Sequence, residues 1–214
     1  MISKKIFLML LFITSQLTMV ATAQTAQTTQ AKAPKDLDLS MVTETDVEIV
    51  DVSNLAVPGK TYVAATIMNA SIQRLCSVIM NYPDYPLFMP NTERTTVLST
   101  SDDATLVEML LRLPLGKTKR YRLKMTPTVA PQSCQVAWKL VPIEGLQQSE
   151  TITDTSGYWL FTPDPKDASK TLVKYFVFAD PGPIPFGLGW IVDMMTRISL
   201  PRTLEALRER VTVK

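Results

Sequence analysis

Histidine is absent from all 214 residues. Without it there is no Ser-His-Asp or Cys-His relay, and zinc loses its usual nitrogen ligand. The two cysteines, Cys76 and Cys134, make a poor metal site by themselves. Glycine is sparse, at 7 residues, and the chain holds neither a Gly-x-Gly-x-x-Gly fingerprint nor a phosphate loop. No metal and no cofactor is expected. A charge excess is missing too. The formal net charge is +2, and a nucleic-acid partner gets no support from it.

What is present begins with an export signal. Lys4 and Lys5 precede an unbroken apolar run, Ile6 to Ile13, and Ala21-Thr22-Ala23 supplies small residues where a signal peptidase reads. Residues 1–23 therefore read as a secretory signal peptide cleaved before Gln24. So short an apolar core falls well below the roughly 20 residues that cross a bilayer. No Cys follows the run and no Arg pair precedes it, so neither a lipid anchor nor twin-Arg export is indicated. Lys4 and Lys5 leave with the signal, which lowers the 22 basic residues to match the 20 acidic ones. The expected destination is beyond the inner membrane, in a bacterial periplasm. An oxidising compartment would allow Cys76 and Cys134 to bridge; two buried thiols is the other reading.

Residues 24–40, rich in Gln, Thr, Ala and Lys, lack periodicity and read as a flexible leader. Residues 41–214 read as one domain. Val47 to Val52 and Thr61 to Met68 are strand-like, with Pro58-Gly59 as the turn between them. Ile72, Leu75, Cys76 and Ile79 share one helical face, after a cap at Asn69 or Ser71. Asn69-Ala70-Ser71 also fits a glycosylation sequon, although capping is the simpler reading. Three prolines make 81–91 a loop or broken helix. Six strand candidates follow: 95–99, 106–112, 120–126, 134–141, 157–162 and 172–179.

Two of these strands alternate sharply. Tyr121, Leu123 and Met125 interleave with Arg120, Arg122 and Lys124, and the apolar Cys134, Val136, Trp138 and Leu140 interleave with Gln135, Ala137 and Lys139. One sheet face is buried and the other wet. An amphipathic helix from Leu188 onward ends the chain, and Pro201 is expected to kink or split it. The fold class is α+β: a curved antiparallel sheet wrapped around a long C-terminal helix, with room between them for a ligand.

This order of elements resembles the helix-grip proteins of the START-like superfamily, which includes polyketide cyclases, coenzyme Q-binding proteins and lipid-transfer domains. Three segments carry the likeness, which covers roughly residues 45 to 212. They are VIMNYPDYPLFMPN at 78–91, SGYWLFTP at 156–163 and DPGPIPFGLGW at 180–190. None is catalytic; they specify the scaffold. The resemblance implies a deep apolar cavity holding a lipid, sterol, quinone or polyketide-like molecule. The expected cavity strands carry no acid-base cluster like that of the enzymatic branches, so a carrier is expected rather than an enzyme. A cyclase or aromatase is the alternative, and it would need Glu108, Tyr121, Tyr158 or Asp193 as acid and base.

Within that frame the ligand candidates are Met89, Met109, Tyr121, Trp138, Trp159, Tyr175, Met194, Met195 and Ile198. Met adapts to irregular ligands, and ordinary core filling is the competing reading for each residue. Glu108 and Arg112 share one side of a strand and would grip a polar headgroup if turned inward. The apolar set Val107, Met109 and Leu111 favours their pointing to water. Lys117, Lys119, Arg120, Arg122 and Lys124 form a basic run that suits either an anionic membrane surface or a solvated face.

Overall fold

The computed structural model describes residues 37–183 and 189–212, and the side chains of Leu115 and 189–197 are outside that description. The expected signal peptide, most of the leader, part of the 180–190 motif and the side chains of Met194, Met195 and Asp193 therefore lie outside the described residues.

The strands are β1 (Glu48–Asp51), β2 (Lys60–Met68), β3 (Thr92–Thr100), β4 (Thr105–Arg112), β5 (Thr118–Ala130), β6 (Ser133–Val141), β7 (Asp154–Pro163) and β8 (Thr171–Asp180). Every pairing is antiparallel, in the spatial order β1-β2-β8-β7-β6-β5-β4-β3. From β3 to β8 the chain is a meander of neighbours. The last strand then returns to β2, in register from Lys60↔Ala179 to Met68↔Thr171. Sequential β2 and β3 thus stand far apart in the sheet, and the short helices α1 (Ile72–Met80) and α2 (Tyr85–Phe88) connect them.

Ser71 starts α1 by accepting the Arg74 amide on its hydroxyl, the ordinary way to satisfy an orphan helical N–H. Its apolar face buries Leu75, Cys76, Val78 and Ile79 against β6 and β7. A disulfide joins Cys76 to Cys134 on β6, with Cα atoms 6.1 Å apart. The prolyl stretch 81–91 is a 3-10 turn at Tyr82–Asp84 followed by α2.

The last helix, α3 (Gly189–Thr212), runs on past Pro201, so of the expected kink or split the split does not occur. Pro201 has no N–H to give the preceding turn. Nearby, the Thr203 hydroxyl donates to the Ser199 carbonyl at 2.7 Å. Leu200, Leu204 and Leu207 bury the inner stripe, and α3 packs on α1, α2 and β2. Arg210 fastens the far end of the helix to Asp84, just before α2, at 2.6 Å.

The concave face carries the main core: Ala64, Met68, Val107, Met109, Tyr121, Leu123, Met125, Val136, Trp138, Trp159, Phe161 and Val173. These residues obey the two-residue strand period read from β5 and β6. A smaller cluster, Val42 with Ala65, Ile67 and Leu172, takes the opposite parity on β2, and Leu37 packs on it. Leu37 falls within the stretch read as flexible leader, so packing already begins there.

Candidate ligand-binding cavity

The strand alternation that builds the core leaves a space toward one end of the sheet. α1 covers β6 and β7 at the other end. The space measures about 910 Å³, within the range of small-molecule sites. Its deepest walls are Tyr85, Met109, Tyr121, Leu123, Met125, Trp138 and Trp159, all buried. Exposed lining residues, namely Asn91, Lys117, Glu150 and Pro183, mark the mouth. From α3 the described lining residues are Ser199, Leu200 and Thr203.

An aromatic wall runs across β6, β7 and β8. The Tyr175 ring lies 4.3 Å from Trp159 and stacks on Trp138 at 5.4 Å, centroid to centroid. Gly157 makes this packing possible. A Cβ there would collide with the Phe176 carbonyl and with Cζ2 of Trp138, so the indole lies against bare backbone. The Gly in the SGYWLFTP segment is thus a cavity-shaping residue as well as a strand residue.

Six expected ligand residues converge on this space: Met89, Met109, Tyr121, Trp138, Trp159 and Tyr175. Ile198 does not, and that expectation is corrected: it is 40% exposed. It sits two positions before the inward Leu200, more than half a helical turn away from the buried stripe.

The Glu108–Arg112 headgroup pair is not formed. Glu108 lies on the convex face, where its carboxylate accepts from Arg122 at 2.9 Å and meets Arg120 at 3.9 Å. Arg112 is 70% exposed at its side chain and pairs with Glu93 instead. Strand parity explains both facts: Val107, Met109 and Leu111 face inward, so the even positions face out.

The basic run is divided by the same parity. Arg120, Arg122 and Lys124 take the outward positions of β5. Lys119 has the parity of Tyr121 and lines the cavity. Its ammonium donates to the carbonyls of Thr151 and Pro181 at 2.5 and 2.6 Å, tying two chain segments together at the mouth. Burial pushes its pKa down, and the nearby Asp180 carboxylate works against that shift. The continuous basic face expected at 117–124 is therefore two separate features.

Sequence reasoning missed Lys60, Tyr62, Tyr85, Ile152, Val177 and Thr203 as lining residues. Val177 could have been found, because it shares the parity of Tyr175. Tyr85 and Thr203 could not, because their placement depends on how the helices cross the sheet.

The wall tyrosines are held neutral. Burial pushes the phenols of Tyr121 and Tyr175 well up from the usual range, and the nearby Tyr121 adds to the effect on Tyr175. Among the described residues no three Cys, Asp or Glu side chains converge to hold a metal.

No protein-family model and no curated protein matches the sequence. Solved structures do match. A STAR-related lipid transfer protein from Xanthomonas axonopodis superposes with a TM-score of 0.67 at 19% identity, over 78% of this chain and 93% of that one. Human StAR-related lipid transfer protein 5 gives 0.66 at 13% identity, over 78% and 82%. An aromatase/cyclase from Streptomyces gives 0.56 at 13% identity, over 78% and 94%. The chain has the START-like helix-grip fold. That fold is shared by lipid-transfer proteins and by aromatase/cyclases.

Proposed function

We propose that this protein is an exported carrier that holds a lipid-like hydrophobic molecule, such as a lipid, sterol or quinone, between the sheet and the last helix. The observation that carries the reading is the cavity of about 910 Å³, walled by Met109, Leu123, Met125, Trp138 and Trp159. Such apolar walls gain roughly 25 cal/mol for each Å² of apolar ligand surface taken from water. Lipid-transfer proteins among the structural neighbours support the same reading. The signal-like residues 1–23 support delivery to the periplasm. A carrier must also load at a membrane. Lys60 and Lys117 at the cavity suit contact with anionic headgroups, while Glu108 already engages Arg120 and Arg122.

A cyclase acting on a polyketide-like substrate is the second reading, favoured by the likeness to aromatase/cyclases. Of its acid-base candidates, Glu108 is engaged with two arginines on the convex face and Tyr158 stacks on Phe176, while Tyr121 lines the cavity.

Solvent extraction of the purified mature protein, with native mass spectrometry of the unextracted sample, tests the carrier reading. One co-purifying hydrophobic species at near-equal stoichiometry is expected. A protein that emerges empty and takes up no hydrophobic probe would sink it.

A further inference from the structure

The buried strand walls of the cavity are largely apolar apart from tyrosines, and several polar groups around it are already engaged. Tyr85 donates its hydroxyl to the Ile79 carbonyl at 2.7 Å. Thr155 donates to Phe178 at 2.7 Å, and Thr203 to Ser199 at 2.7 Å. Ser199 accepts from Asn91, and Lys119 is spent on two carbonyls. Tyr121 and Tyr175 differ: neither phenol has a hydrogen bond among the described residues, and both line the cavity. Tyr121 is only 8% exposed as a residue. Unlike the partnerless Tyr82 hydroxyl, which is sealed inside protein, the Tyr121 and Tyr175 oxygens stay open to a molecule in the cavity.

The two phenols stand on β5 and β8, the strands that flank β6 with Trp138 and β7 with Trp159. Tyr121 raises the pKa of Tyr175, and both raise that of Tyr85, which places the three phenols in one neighbourhood. Burial keeps them protonated, so each offers one O–H donor and spare acceptor capacity.

We infer that Tyr121 and Tyr175 form a polar anchor inside the apolar cavity and select a ligand that carries an uncharged oxygen, a carbonyl or hydroxyl, on its hydrophobic body. This deepens the carrier reading and rests on it. An uncharged oxygen fits because Lys119, the cation nearest Tyr121 on β5, is already engaged by the Thr151 and Pro181 carbonyls, while Lys60 and Lys117 stand at strand ends. A carboxylate drawn down to the tyrosines would be desolvated without a counter-charge. A carbonyl oxygen can accept from a phenol of this wall. A ligand hydroxyl can accept from a phenol or donate to its oxygen.

The test uses four probes of equal chain length: dodecane, dodecan-2-one, dodecan-2-ol and dodecanoate. Binding is read from the fluorescence of Trp138 and Trp159, which line the cavity. The protein is first stripped of bound lipid. The ketone and alcohol are expected to bind about tenfold or more tightly than the alkane, the gain of one or two net hydrogen bonds. Changing both tyrosines to phenylalanine (Tyr121→Phe with Tyr175→Phe) should bring the ketone-to-alkane and alcohol-to-alkane affinity ratios, each taken within the variant, down to about one, and a cooperative thermal melt shows that the variant folds. Equal affinity for alkane and ketone, or a gain that survives the double substitution, overturns the anchor and leaves the carrier reading standing. Tightest binding by dodecanoate, lost in Lys119→Met and not in the phenylalanine variant, overturns it too by moving the anchor to the mouth. If none of the four binds, the carrier reading falls and the anchor falls with it.

Discussion

Cys76 on α1 is covalently joined to Cys134 on β6, across a sequence separation of 58 residues. The bond pins the first helix over the sheet at the end opposite the cavity mouth. Both cysteines are buried among Leu75, Ile79, Val136 and Phe161. Reduction therefore removes a cross-link and leaves the apolar contacts in place.

Closing a loop of that length restricts the unfolded chain, by about 2–4 kcal/mol of stability. The paired variant Cys76→Ser with Cys134→Ser is expected to melt lower by about 5–15 °C, in line with that loss. Thermal unfolding with and without reductant checks it. The wild-type protein should lose a similar amount on reduction, and the variant should be insensitive to reductant.

Gly157→Ala should be more damaging than its size suggests. The added methyl would strike the Phe176 carbonyl and the Trp138 ring, and backbone cannot move aside as a flexible side chain can. Overpacking of this kind costs about 1–3 kcal/mol. The indole would also be pushed toward the cavity, so hydrophobic-probe affinity should fall along with stability. Chemical denaturation and probe titration on the same sample measure both.

Leu111→Trp separates an empty cavity from a filled core. Leu111 is a half-buried cavity-lining residue. A larger ring in open space should change stability by less than about 1 kcal/mol, whereas in a packed interior it would cost about 1–3 kcal/mol. Probe affinity is expected to drop at least tenfold. Unchanged affinity would show that the ligand sits elsewhere.

Glu108→Gln should leave probe binding and any turnover untouched, because the carboxylate faces Arg120 and Arg122 on the outside of the sheet. Partly exposed ion pairs are worth about 0–1 kcal/mol, so the stability change should be of that size. Loss of an activity in this variant would revive the cyclase reading.

The tyrosine wall gives an alkaline signature. Burial raises the folded-state pKa of Tyr85, Tyr121 and Tyr175 above the unfolded value near 10. Above that pH the unfolded chain binds fewer protons than the folded one. Stability is therefore fully present below about pH 10 and declines as pH rises further. Phenolate absorbance should stay partly masked until unfolding. The variant carrying both Tyr121→Phe and Tyr175→Phe should show a shallower decline.

Much of this was legible in the chain before folding. The odd parity of Tyr121, Leu123 and Met125 and the even parity of Trp138 depend only on the pleat, which sends alternate side chains to opposite faces. The same rule turns Glu108 outward, as the sequence favours, and applied one residue earlier on β5 it turns Lys119 inward. Lys119 was grouped with its basic neighbours because proximity in sequence hides the alternation at a strand's start. Ile198 was misplaced for a different reason. A helix's inward stripe depends on its rotation about its own axis, and packing against α1, α2 and β2 sets that rotation.

The sequence by itself determined the strands, the capped first helix, the final amphipathic helix and which strand residues face the core, because these follow from local stereochemistry and from burial of apolar side chains. Only the tertiary structure decided that β8 returns to β2, that Cys76 meets Cys134, that Trp138 lies over Gly157, and that Tyr121 and Tyr175 are left without partners in one cavity. Those relations join residues far apart in sequence, and they are fixed by sheet curvature and helix placement, which no single segment encodes.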